Sequence, residues 1–431
     1  MPGVRSAVKD LSVNIWVVTI SEPLPTDQYG DKLHRAGMLA TILVERGHNV
    51  FWWTSTFDHN RKKNRYPKDT LLDVSPHFKI FCMRSLGYSR NVSLRRFLDH
   101  FLLGSKFKKL AKAHPVPDLI ICSMPPLELC KYAVDFGNQH HIPVVIDLRD
   151  MWPDIFLDIF PWPFNVLLKP LFFPMFWFLK KSCQKATTLV GITPEFVSWG
   201  LRLAGRKQTP CDRHFWLGHQ EPSVSEKQLA AARKKWRTLG LNASEGDFIC
   251  SYFGSMSNKL DMEPVFSAAR VLQKTHPNIK FVLCGTGDQL ERYKTLALGL
   301  NNVFFPGWVN AVEIFALMQI SSIGLAPYRS RFDFRLSIPT KAIEYMAGRL
   351  PILSSLRGSL EAFLEREQCG FTYANGSSLG FQKVLLTLAT DTALRKSFAA
   401  KSRQCFEREF SSGRVYGDMA EFLVGINRVT K

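Results

Sequence analysis

The chain of 431 residues is too long for one hydrophobic core, and its hydrophobic fraction of 46% excludes a disordered chain, so two domains are predicted. Its 56 Lys and Arg against 37 Asp and Glu leave a formal charge of +19, which suits an anionic partner. The basic residues are dispersed, without a nucleic-acid-binding motif, and none of the nine cysteines forms a CxxC pair; nucleic acid, a disulfide framework and a zinc site are all disfavoured.

The stretch before residue 13 lacks the pattern of a secretory signal and is read as a polar tail entering a first strand, VNIWVVTI (13–20). A helix follows over 31–46, stopped by Gly47, and His34 and Arg35 fall on it. Further apolar runs at 48–54, 78–83, 118–123, 144–148 and 187–192 alternate with helical patterns, the signature of parallel βαβ units. The run at 144–148 leads into DLRDMWPD, so Arg149, Asp150 and Asp154 sit at a strand's carboxyl end, where acceptor binding or acid/base work is expected. A helix-capping aspartate is the plainer competitor. SMPP (123–126) also follows a strand.

From Trp152 to Leu179 the chain is crowded with Trp, Phe and Pro and ends on Lys180 and Lys181. Five prolines with Asp154, Asp158 and Lys169 argue against a membrane span. Bulky aromatics beside cations suit short helices lying in the headgroups of an anionic membrane, with Trp162, Phe172 and Trp177 as anchors. The alternative is a greasy loop tucked under a domain.

The polar segment 223–245 reads as an inter-domain linker followed by a short helix. After it the strand pattern restarts at 248–253, 279–284, 302–305, 321–326, 351–355 and 370–373. Two such sets predict an α/β protein of two doubly wound domains with a cleft between them: 1–222, carrying the membrane-associating segment 152–181, and 223–404. Residues 405–431 are expected to form a helix crossing back to the first domain.

Three stretches of the second domain could hold a phosphorylated ligand. FGSMSNK places Gly254, Ser255, Ser257, Asn258 and Lys259 after a strand, where small residues, helix-start N–H groups and a lysine suit a pyrophosphate. CGTGD puts Gly285 and Gly287 after the next strand, although a helix capped by Asp288 explains much of it. In SIPTKAIEYMAGRLPIL, Pro339 and Thr340 open a helix on which Lys341 and Glu344 share a face. Its start could take a phosphate and Glu344 a ribose diol, or Glu344 could simply answer the helix dipole.

These motifs, with NNVFFPGWV and IGLAPY in the same order, resemble family 4 of the GT-B glycosyltransferases, in particular bacterial surface-polysaccharide enzymes. LHRAGMLATILVERGHNV and DLRDMWPD extend the resemblance over essentially the whole chain. It implies a GT-B fold of two Rossmann-like domains and a UDP- or GDP-sugar donor used as substrate, with no separate cofactor. By the same resemblance Gly254, Ser255 and Lys259 line the donor pyrophosphate, Gly285 borders the nucleoside, and Trp308 and Val309 meet the base. Pro339, Thr340 and Lys341 surround the phosphates, Glu344 binds the ribose, and Gly30 lies in the loop beneath the donor. Many relatives carry a second glutamate eight residues earlier; here that position is Leu336, with Asp333 or Arg335 as possible substitutes.

The expected reaction is transfer with retention at the anomeric carbon onto a lipid-linked saccharide, by a protein at the cytoplasmic face of the membrane. No D-x-D motif stands at a strand end, so Lys259, Lys341 and helix N-termini are expected to stabilise the leaving diphosphate in place of a metal. Asp150, Lys259 and Glu344 are the candidate catalytic residues. Competing expectations are a nucleotide-sugar epimerase of the same fold and a non-catalytic membrane-binding partner of another transferase.

Overall fold

The computed structural model describes residues 12–27, 32–158, 160–241 and 246–430. The chain divides into two compact units, Met1–Gly218 with Ser412–Lys431, and His219–Ser411. The division falls a few residues from the 222/223 and 404/405 boundaries set from the sequence.

In the first unit the apolar runs form β1 (Asn14–Val18), β2 (Asn49–Ser55), β3 (Thr70–Ser75), β4 (Phe78–Met83), β5 (Leu119–Met124), β6 (Val144–Leu148), β7 (Thr188–Gly191) and β8 (Arg213–His214). They make one sheet of order β8-β7-β6-β5-β1-β2-β4-β3. All neighbours are parallel except β3, an edge strand antiparallel to β4. Sequence reading passed over β3, whose polar positions leave it half-covered at the edge, and β8, which is only two residues long. The strand β1 has β2 on one side and β5 on the other, so the chain reverses direction of travel there, a switch point where open α/β sheets bind ligands. At its carboxyl end Thr19 Oγ1 and Ser123 Oγ are hydrogen-bonded at 2.6 Å.

One face of this sheet is covered by the helices Leu94–Leu110 and Leu127–Gln139. Their Phe107 and Phe136 rings meet Trp16, the latter stacked at 5.0 Å. Against the other face pack Leu39 and Leu43 of the helix Arg35–Glu45 and Met419 and Leu423 of the helix Ser412–Thr430. The C-terminal helix therefore completes the core of the first unit.

Charge is also buried here. Arg35, the first residue of its helix, donates from Nε and Nη2 to Asp147 at 2.8 and 3.0 Å, and both side chains are only 3% exposed. Arg35 Nη1 caps the carbonyls of Phe215 and Trp216 at 2.9 Å. Arg149 bridges Asp147, at 2.9 Å, and Glu22, which accepts in turn from the helix-start amides of Ala36 and Gly37. Burial alone would raise the Asp147 carboxyl; the two guanidiniums override it and hold the group below its ordinary value.

The second unit has β9 (Phe248–Phe253), β10 (Ile279–Cys284), β11 (Val303–Gly307), β12 (Ile323–Ala326), β13 (Ile352–Ser354) and β14 (Gly370–Thr372). Their order, β11-β10-β9-β12-β13-β14, is wholly parallel, with its switch point between β9 and β12. The short helix expected after the linker is Glu226–Thr238, a helix of this unit. Ser225 and Gln228 form a capping box, and the buried Trp236 donates to the Glu313 carbonyl at 3.0 Å. All nine cysteines are free thiols, eight of them buried.

Replacing Asp147 by Ala leaves two guanidiniums buried without their shared partner. It is expected to destabilise the first unit by about 3–5 kcal/mol, read by urea unfolding; a loss below about 1 kcal/mol would refute the role given to this pair. Because the folded-state pKa lies below the unfolded value, this stability is present above roughly pH 4 and is lost as pH falls further. Asp147→Asn is expected to flatten that acid limb.

Candidate functional site

The second unit's switch point is built around a buried tyrosine. The paired residues Ser251 and Gly324 end the hydrogen-bonded contact of β9 with β12. Tyr345 Oη lies 3.1 Å from the Ser251 carbonyl and 2.9 Å from that of Leu325, which joins the strands where they part. Its ring occupies the space above Gly324, where a Cβ would come within 2.3 Å of it. Burial pushes the Tyr345 hydroxyl well above its ordinary pKa, so it serves as a neutral donor.

This anchor fixes the helix Thr340–Ala347, whose first turn then faces the β9 turn. Lys341 Nζ sits 4.3 Å from the Phe253 ring centroid and donates to Glu344 Oε2 at 2.9 Å. A Cβ on Gly254 would lie 3.4 Å from the same ammonium. The second Glu344 oxygen faces His219 Nδ1 at 3.9 Å, and the His219 amide is tied to the Phe410 carbonyl. No side chain caps the start of this helix, and Pro339 stands at its N-cap.

The two glycine turns interlock. Gly254 N–H donates to Cys284 and Gly285 N–H to Gly307, at 3.0 and 2.7 Å. The backbones come so close that a Cβ on Gly285 would fall 1.8 Å from the Gly254 carbonyl oxygen. With φ of +150° and +138°, both residues also occupy a region that side chains disfavour. Met256 N–H and the Thr286 carbonyl extend the seam at 2.9 Å. The result is a narrow double turn, partly exposed at Ser255 and Thr286, with a lysine and a glutamate at its edge.

The structure thus gathers Gly254, Ser255, Gly285, Lys341 and Glu344 at one strand-end region. Pro339, buried, and Thr340, exposed, open its helix. The next turn brings Trp308, 69% exposed, and Val309, buried. Lys259 belongs to the same turn but packs over the Phe334 ring at 5.6 Å. At the missing-glutamate position, Leu336 ends the short helix Phe332–Arg335, and Asp333 pairs with Arg331 at 3.3 Å.

In the first unit Asp150 is half-buried in the turn after β6, while Gly30 lies outside the described residues. Asp154 accepts from Trp199 Nε1 at 3.1 Å, and burial raises its pKa. His34 is the exposed N-cap of its helix. Sequence reading missed Tyr345, His219 and the Glu22–Arg149–Asp147–Arg35 chain. A Tyr next to Glu344 was a signal for the first; nothing local signals partners more than a hundred residues apart. Among the described residues no group of three or more His, Cys, Asp or Glu is placed to hold a metal.

Residues 240–405 match the family model for glycosyl transferases group 1. The chain is a glycosyltransferase. Its fold is GT-B, shared with sucrose-phosphate synthase from Thermosynechococcus elongatus at 16% identity and TM-score 0.67, covering 97% of this chain and 100% of that one. Anabaena HepE in complex with UDP aligns at 14% identity and TM-score 0.65, over 96% and 100%. WaaG, a glycosyltransferase involved in lipopolysaccharide biosynthesis, aligns at 15% and 0.62 over the same shares. No curated protein matches the enzyme in sequence.

Gly285→Ala should be the most damaging single-methyl change in the enzyme's double turn, since its Cβ meets a backbone oxygen that cannot move alone. A fall in melting temperature with loss of UDP- or GDP-induced stabilisation is expected; retained stabilisation by both nucleotides would show that the turn does not face the nucleotide.

Proposed function

We propose that the enzyme transfers a sugar, with retention and without a metal, from a UDP- or GDP-linked donor to a lipid-linked saccharide in surface-polysaccharide synthesis. The observation that carries this reading is the Lys341–Glu344 pair held against the interlocked glycine turns. Breaking a nucleotide-sugar bond builds charge on the leaving diphosphate. Main-chain amides at Gly254 and Ser255, the start of the helix Thr340–Ala347 and the Lys341 ammonium offset that charge as it develops. Lys259, an exposed side chain, joins them by leaving the Phe334 face. Glu344, polarised by Lys341, accepts from the ribose diol, while Gly285, Trp308 and Val309 border the nucleoside. Asp150 hydrogen-bonds the acceptor hydroxyl. HepE, crystallised with UDP and with UDP-glucose, and WaaG, from lipopolysaccharide synthesis, support the donor and pathway classes.

Docking at the cytoplasmic face of an anionic membrane is the second half of the proposal. No described helix is long and apolar enough to cross a membrane. The aromatic segment instead folds into short helices at Asp154–Leu157, Phe164–Leu167 and Phe173–Lys185. Trp162 is 79% exposed, and Phe164, Leu167, Leu171, Phe173 and Trp177 are exposed with it. Phe172, chosen from the sequence as an anchor, is instead half-buried and stacked on Phe156 at 6.0 Å. Phe173 takes its place.

Glu344→Ala should lower turnover of a nucleotide sugar by more than a hundredfold with an unchanged melting temperature; near-normal turnover would remove its assigned role. NMR of the product reads the anomeric outcome. The triple change Trp162→Ala, Phe173→Ala, Trp177→Ala is expected to release the enzyme from phosphatidylglycerol vesicles in a sedimentation assay. Equal sedimentation of both proteins would refute the docking surface.

A further inference from the structure

A second cavity lies in the first unit, over the carboxyl ends of β2 and β4, and the donor site does not use it. It encloses about 270 Å³ and is lined by Lys62, Asn64, Leu86, Tyr88, Ser89 and Arg95. That is room for one small group, below the size of a whole nucleotide-sugar pocket. The basic runs at 61–65 and 95–96 meet here.

Its cations make no ion pair with the nearby acids among the described residues. Asp99 is occupied by Ser85 Oγ and the amides of Leu86 and Gly87, at 2.6, 2.7 and 3.2 Å. Asp58 is occupied by the amides of Asn60 and Arg61 and by the Arg61 and Arg65 guanidiniums. Lys62 Nζ instead donates to the Asn91 amide oxygen, and Arg95 to the Gly87 carbonyl at 2.7 Å. Arg96 lies 5.3 Å from the Tyr88 ring and 4.7 Å from that of Trp152. Among the described residues none of the three makes an ion pair with a carboxylate. The crowding is felt: burial first, then Arg96, lowers the Lys62 pKa, and burial with Lys62 and Arg96 brings His59 to about 4. His59 Nδ1 and Tyr88 Oη are 2.6 Å apart, and His100 behind them is buried with neither ring nitrogen hydrogen-bonded.

The rim is apolar. Leu86 lines the cavity, and Leu94, 86% exposed, and Leu98 stand on the helix that carries Arg95. Phe97 of that helix touches Trp152 and Phe156, which ties the helix to the aromatic segment. A compact anion attached to an apolar chain satisfies both halves.

We propose that this cavity binds a phosphate ester carried on an apolar chain, with Lys62 and Arg95 as its cationic contacts and Ser89 and Asn64 as neutral donors. The inference deepens the lipid-linked acceptor reading and rests on it for its biological meaning, but its test needs neither donor nor turnover.

Decyl phosphate is titrated into the full-length protein by calorimetry, with decanol and inorganic phosphate as comparisons. One site is expected, with both comparisons at least tenfold weaker. Lys62→Gln with Arg95→Gln, and separately Ser89→Glu, should each weaken decyl phosphate more than tenfold, because each removes or neutralises charge-assisted contacts. Ser89→Glu leaves the Arg95 backbone bonds in place and should hold or raise the melting temperature, which controls for misfolding. The same variants on phosphatidylglycerol vesicles identify the source. An equal loss there assigns a bilayer headgroup, and retained vesicle binding assigns the acceptor's own phosphate; both keep the proposal. Decyl phosphate bound equally by wild type and Ser89→Glu, or decanol bound as well as the phosphate, would overturn it. UDP- and GDP-induced stabilisation, measured alongside, separates that failure from a failure of the donor site.

Discussion

The second unit depends on one hydroxyl placed where two parallel strands part. Ser251 and Leu325 present carbonyls at the end of the ladder between β9 and β12, both within hydrogen-bond distance of Tyr345 Oη. Tyr345 supplies the donor, and Gly324 supplies the room for its ring. That contact positions the residues proposed to take the donor phosphates, through the helix Thr340–Ala347, the reach of Lys341 to the Gly254 turn, and the placement of Glu344. A buried residue outside the proposed site thereby decides where Lys341 and Glu344 stand.

All strands but β3 and β8 were legible because long apolar runs bounded by glycine and polar residues have few other uses. The helix Thr340–Ala347 was legible from its Pro-Thr start and Gly348 stop. The glycine turns were legible as turns, but not their interlocking, because Gly254 and Gly285 acquire their reason only when β9 and β10 lie side by side. The short helix expected in the segment 223–245 is present as Glu226–Thr238, and it is part of the second unit's packing: its charges lie on the outward face while Leu229, Ala232 and Trp236 are buried. Phe172 misled, since aromatic crowding does not tell which rings stack on one another and which face out.

The positive charge, read as one number, conceals three different uses. Arg35, Arg65 and Arg149 are structural: each is largely buried and paired with carboxylates that themselves serve backbone amides or other arginines. Such pairs contribute little net stability over an apolar core but are costly to break. Exposed pairs such as Lys294–Glu291 contribute little either way. What remains are cations close to polar or aromatic groups but not to carboxylates, and these mark where an anion could be received.

Two of them lie beyond the carboxyl ends of strands, one in each unit. In the second unit Lys259 rests on Phe334, and in the first Arg96 rests on Tyr88 and Trp152. Lodging a cation on a ring face, not on a carboxylate, has a consequence for binding. The ring offsets part of the desolvation cost, yet its attraction is weak enough for a phosphate to displace. A carboxylate in the same place would have to be outcompeted by the ligand. Lys341 is the exception, held by Glu344 as well as by Phe253, and there the acid has its own proposed task at the ribose. On this reasoning the aromatic residues beside the lysines and arginines keep positive charge in place while leaving it available.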